Sequence, residues 1–172
     1  MKNKTLFITQ GAVIAAVYVV LTLLANAFGL ANYAIQVRFS EALTILPFFT
    51  PAAIPGLFAG CIISNILTGC MPLDTVFGSL ATLLGALGTY AISQKLNHNK
   101  TAKCLSPLPP IIANTIIVPF VLAYVYRFEG SIPYFMLTVG AGEVISCGIL
   151  GLILFTVLYP NRAVIFKFTG KV

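Results

Sequence analysis

Charge is what this chain has least of. Only 8% of its 172 residues are Asp, Glu, Lys or Arg, against roughly 25% in an ordinary soluble domain. That scarcity, with 59% of residues hydrophobic, excludes a water-soluble globule and points to an all-α, multi-pass membrane protein. Histidine is nearly missing too. The single one, His98, lies in a basic polar loop away from the carboxylates, so neither histidine acid–base chemistry nor a zinc site can be assembled around it. The four cysteines, Cys61, Cys70, Cys104 and Cys147, contain no CxxC pair. Three lie in or beside apolar stretches, where a thiol behaves as a small hydrophobe, so no disulfide or metal framework follows. There is no G-x-x-x-x-G-K-[ST] phosphate loop and no room for a soluble catalytic module. The expectation is a single membrane domain over residues 1–172 that is not an enzyme and carries no cofactor of its own.

What is present is apolar run after apolar run, at about 6–28, 40–50, 52–69, 73–94, 107–126 and 132–159. The first is span-length and lacks a clean small-residue cleavage site, so it reads as a retained span rather than a signal peptide. Six runs predict six transmembrane helices. The second and third are short and carry Pro47, Pro51 and Pro55, so 40–69 also reads as one kinked span, which makes five. Charge placement arbitrates. Six crossings put Lys2, Lys4, Lys95, Lys100, Lys103, Arg162, Lys167 and Lys171 on one side, leaving only Arg38 and Arg127 on the other. Basic residues stay on the cytoplasmic side, so both termini are expected there. The same pattern accounts for the net charge of +6 without nucleic acid. The only long polar linker runs from Gln94 to Pro110, and its prolines suit entry into the fifth helix. No internal repeat stands out.

Within this frame the polar residues converge on the outer half. Arg38 and Glu41 open the second span, Asn65 lies near the outer end of the third, and Asp74 opens the fourth. Glu143 lies about ten residues into the sixth, roughly 15 Å deep, in an apolar stretch with no other charge. A carboxylate at mid-membrane costs about 2.5–3.5 kcal/mol, so it faces a cavity, a partner or a ligand. These five residues are the candidate substrate site, with Glu143 as its floor. Each has a plainer use: Glu143 in an interhelical bond or a pair with Arg38, Arg38 and Glu41 as an intrahelical pair, Asp74 as an N-cap, and Asn65 as interhelical glue. Asn114, near Pro119, reads as a helix–helix contact instead. A buried carboxylate with aromatic walls suits a small heterocycle bearing an amine or a fork of N–H donors. Tyr33, Phe77, Tyr134 and Phe135 are the aromatics expected nearby.

The first span holds two small-residue rows, Gly11 with Ala15 and Ala12 with Ala16, each four apart, and Ala25, Ala27 and Ala31 continue that character. Such rows let a second helix approach closely, either from this chain or from a partner.

The six-span plan, the Ala12–Ala16 row and above all the run VRFSEALTILPFFTPAAIPGLFAGCIISNILTG followed by LDTVFGSLATLLGALGTY resemble the QueT family, nearly over the full length. These are substrate-binding S components of energy-coupling-factor (ECF) transporters. The resemblance implies capture of a queuosine precursor, 7-aminomethyl-7-deazaguanine or queuine, from outside a bacterial cell. It also implies partners: a transmembrane T component docked on the small row that Ala12 and Ala16 match, and two ATPases that use the ATP. An S component for another vitamin-like heterocycle, or a self-sufficient proton-coupled carrier titrating Glu143, are the other readings.

Overall fold

The structure, a computed structural model, describes residues 2–30, 37–96 and 100–166. Tyr33, Ala31, His98, Lys167 and Lys171 lie outside them. The described residues are helical, with no strand among them.

Helix α1 is Lys2–Ala27, α2 is Ala53–Leu67 and α3 is Pro72–Lys95. A short α4, Lys100–Leu105, leads into α5, Leu108–Phe120. The last rod joins α6, Ile132–Glu143, to α7, Gly151–Leu158, and α8, Arg162–Ile165. Four stretches are long and apolar enough to cross a bilayer: Lys4–Ala27, Pro72–Lys95, Thr101–Val125 and Ile132–Ile165. They correspond to the first, fourth, fifth and sixth expected spans. Pro109 and Pro110 sit in the first turn of α5, as the linker prolines implied, and pack against α3. A Cβ on Gly85 would come within 2.7 Å of the Pro110 Cα.

The second and third runs are shorter than the bilayer core. Phe39–Phe48 is a 3-10 helix of 10 residues, about 20 Å at that rise, and the 15 residues of α2 span about 22 Å; a bilayer's hydrocarbon is about 30 Å thick. Their shortness follows from sequence. Pro47 removes an N–H donor inside the 3-10 segment, and Thr50-Pro51 bars an α conformation just before α2. A 3-10 run longer than about four residues is uncommon and needs outside support. Here every residue from Ser40 to Phe48 is buried, held by α1, α3, α7 and the segment after Glu143.

Two π-helical segments interrupt the later helices, Val121–Val125 after α5 and Val144–Leu150 between α6 and α7. The first follows Pro119, whose missing N–H breaks the regular ladder.

The interior is partly polar and the exterior apolar. Ile8, Leu137 and Val157 are each more than 60% exposed, whereas Glu41, Thr44, Ser64, Asn65, Thr89 and Asn114 are buried. That arrangement suits lipid outside and hydrogen-bonded packing inside. The main apolar core gathers Tyr18, Ile45, Leu57 and an aromatic group in which Phe155 packs 4.9 Å from both Phe48 and Phe49, while Phe49 stacks on Phe166 at 5.3 Å. A smaller core, Val118, Leu122, Phe135 and Val139, joins α5 to α6.

On α1 the two small rows separate. Gly11 and Ala15 face α2, where a Cβ on Gly56 would lie 2.6 Å from the Gly11 carbonyl and one on Gly60 would lie 3.1 Å from the Ala15 Cα. Ala12 and Ala16 are exposed. Gly11 and Ala15, expected among the partner-docking residues, are thus already covered by this chain's own helix.

Candidate functional site

A cavity of about 300 Å3 opens where four elements end together. Helices α1 and α2 both stop in Schellman turns. Gly29 and Gly69 take φ of 72° and 74°, which a side chain would disfavour. Their neighbours close the turn: Leu30 N–H donates to Ala25 O at 3.0 Å and Cys70 N–H to Asn65 O at 2.9 Å. The first turn of α3 and the π-helical end of α5 complete the rim.

Three of the five expected substrate residues, Arg38, Asn65 and Asp74, line this cavity, with Thr22, Asn26, Thr68 and Cys70 beside them. Asp74 is not the cap of α3. The N-cap position is Met71, without a side-chain bond, and Asp74 Oδ2 instead accepts the Tyr126 hydroxyl at 2.8 Å. That hydroxyl also accepts from the Met71 N–H at 3.2 Å. A carboxylate in the first helical turn is still favoured by the helix dipole. Asn65 is buried, its amide 3.7 Å from Cys61 Sγ.

Glu41 and Glu143 do not line the cavity; they lie in a buried polar group that Arg38 joins to it. The Tyr18 hydroxyl donates to Glu41 Oε1 at 2.5 Å, while Oε2 is buried with no hydrogen-bond partner among the described residues. Cys147 Sγ stands 3.1 Å from Glu143 Oε2 and 3.4 Å from the Glu41 carbonyl oxygen. The side chain of Asn114 approaches both carboxyls. Glu41, Glu143 and Cys147 each offer a ligand atom within 4.8 Å of the others. Two links run from this group to the cavity wall. The Arg38 N–H donates to Ser146 Oγ at 3.2 Å, in the π segment after Glu143, and Thr22 Oγ1 bonds Ser40 Oγ at 2.8 Å.

One carboxylate, two amides and an arginine around one small opening, with a carboxyl pair behind it, form a recognition site for a compact polar solute. No histidine lies among the described residues.

The model of the QueT transporter family matches residues 8–160. The chain belongs to the QueT transporter family. QueT-family proteins are transporters, not enzymes, and with its apolar helices this member is a multi-pass membrane protein. It is similar to the queuosine precursor transporter QueT of Lactococcus lactis subsp. cremoris (strain MG1363), at 37% identity over 83 residues, 48% of each chain. The match thus spans about half of that relative's length. No solved structure matches the chain.

Several site residues of this QueT-family chain escape sequence reasoning. Tyr18 and Cys147 carry no signal beyond an apolar helix. Asn114, expected in a helix–helix contact, makes one, and sequence did not show that its partners are the two carboxyls of Glu41 and Glu143. Of the expected aromatics, Phe77 and Tyr134 are exposed away from the cavity and Phe135 belongs to the smaller core. The rings on the cavity wall are Tyr126 and Phe128. Their position a few residues beyond Pro119, where the fifth run ends, was the available clue.

Proposed function

We propose that this chain is the substrate-binding S component of an ECF importer in a bacterial cytoplasmic membrane, capturing a queuosine precursor from outside. The observation that carries this reading is the cavity walled by Arg38, Asn65 and Asp74, in a chain of the QueT transporter family whose Lactococcus relative is named for queuosine precursors. A deazaguanine offers N–H donors along one edge and, in 7-aminomethyl-7-deazaguanine, a cationic amine. Asp74 and Asn65 supply acceptors at the opening. Glu41 and Glu143 lie deeper, as a carboxyl pair behind the cavity wall.

In this reading the chain makes six crossings with both termini cytoplasmic, which places the cavity on the outer side. The exposed Ala12–Ala16 row receives the T component, and two ATPases supply the energy. The test is ligand binding by the purified chain in detergent, by thermal shift and then calorimetry. The ligands are 7-aminomethyl-7-deazaguanine, queuine, guanine, riboflavin and thiamine. Binding confined to the folded state raises stability by about 2.7 kcal/mol at a hundredfold excess over the dissociation constant. Selective stabilisation by a deazaguanine is the expected result; a folded sample that answers to none of them overturns the assignment.

The buried group of Glu41, Glu143 and Cys147 favours a second reading, a self-sufficient carrier that moves a proton through Glu143. Uptake separates the two. An S component transports only with coexpressed T component and ATPases and stops when ATP is withdrawn, whereas a carrier transports alone.

A further inference from the structure

We infer that Tyr126 and Phe128 form an aromatic platform on which the flat ring of the ligand stacks, and that they set the preference of the site for planar heterocycles. The inference rests on the cavity being the ligand site. Three departures from regular backbone aim these two rings. Pro119 ends the α ladder, and the π segment Val121–Val125 follows. The wider turns then continue: the Tyr126 N–H donates to Val121 O and the Phe128 N–H to Leu122 O, each at 3.1 Å. Between them Arg127 adopts φ of 53°, the one left-handed non-glycine among the described residues. An arginine there is strained, and strain of this kind concentrates where a neighbouring side chain must point in a set direction.

The outcome is a pair of stacked rings, centroids 5.6 Å apart and planes 30° apart, both on the cavity wall. Tyr126 is fixed by its bonds to Asp74 and Met71, so its ring cannot swing away without breaking them. Phe128 is 52% exposed, so the fold does not need its burial. A tethered tyrosine beside a half-exposed phenylalanine offers a π face next to a carboxylate, which suits a planar ring with N–H donors on its edge.

The experiment is calorimetric titration of the full chain in detergent with 7-aminomethyl-7-deazaguanine, comparing wild type with Phe128→Leu and Phe128→Tyr. Stacking on an aromatic side chain predicts that Phe128→Leu weakens binding roughly 5- to 100-fold, while Phe128→Tyr keeps wild-type affinity. Neither changes the thermal midpoint of the unliganded protein. Wild-type affinity in Phe128→Leu overturns the platform, as does equal loss in both variants, which indicates a shape requirement at that position without stacking. Failure of the wild type to bind 7-aminomethyl-7-deazaguanine, and queuine titrated in the same way, overturns the functional reading underneath.

Discussion

Replacing Gly56 by leucine tests how α1 and α2 are joined. A Cβ at this position would lie 2.6 Å from the Gly11 carbonyl oxygen, 3.2 Å from the Gly11 Cα and 3.2 Å from the Ile14 Cβ. Two of these three atoms are backbone, so no rotamer change relieves the contact. Ordinary contact begins near 3.4 Å, so the helices must separate by close to an ångström even for alanine, and leucine adds three more carbons. Overpacking of a tight core costs about 1–3 kcal/mol, and leucine belongs at the upper end. For a chain of this size each kcal/mol moves the midpoint by about 2–4 °C, so Gly56→Leu should lower it by roughly 6–12 °C. Size-exclusion chromatography of heated, detergent-solubilised protein reads this without tryptophan, which the chain lacks. The control is Ala12→Leu. Ala12 is exposed, and such surface changes stay within about 0.5 kcal/mol, yet the same variant should abolish copurification with the T component. An unshifted Gly56→Leu midpoint, or an equal fall in Ala12→Leu, refutes the division of α1 into an occupied row and an open one.

Other outcomes are fixed by single contacts. Tyr18→Phe removes the hydroxyl that donates to buried Glu41 Oε1 and should destabilise by about 1–3 kcal/mol, read as a lower midpoint; an unchanged midpoint means that Tyr18 does not satisfy the carboxyl. Glu143→Gln keeps size and the approach to Cys147 while replacing the carboxyl by an amide. It should weaken deazaguanine binding by roughly tenfold or more with T-component assembly intact, and unaltered calorimetric affinity removes Glu143 from the site. Gly69→Val forces a β-branched residue into φ of 74° and should cost about 1–2 kcal/mol, with the damage concentrated at Asn65 and Cys70. Stability equal to wild type would show that the α2 turn tolerates a side chain.

Some of this was readable from sequence because the physics is local. A bilayer demands about 20 apolar residues per crossing, so α1, α3 and the rods ending near Val125 and Ile165 announce themselves. The depth of polar residues then placed Arg38, Asn65 and Asp74 near one another, and they do share a cavity. What failed to show depends on tertiary support. A 3-10 run from Phe39 to Phe48 has no signature of its own, because its neighbours stabilise it rather than its own ladder. Pro119 flags irregularity but not the π geometry that follows. Depth and the nearby Pro119 pointed to a helix contact for Asn114, but neither says which side chains it meets.

Facing is the harder problem in a membrane chain, and α1 shows why. The helix is apolar on every side, so hydrophobic periodicity marks no inner face. Its buried stripe is Gly11, Ile14, Tyr18, Thr22 and Ala25, spaced by three or four and, Ile14 apart, distinguished by small size or a hydroxyl instead of greasiness. Lipid rewards apolar groups outside as well as inside, so only close approach and hydrogen bonding reward a position for facing inward. On that stripe Gly11 admits α2, Tyr18 holds Glu41, and Thr22 reaches Ser40 at the cavity wall. The opposite side carries Ala12 and Ala16. Helix α1 therefore touches both the face proposed for the T component and the segment that carries Arg38 and Glu41. A shift of this helix on docking would strain the Tyr18–Glu41 and Thr22–Ser40 bonds that join it to that segment.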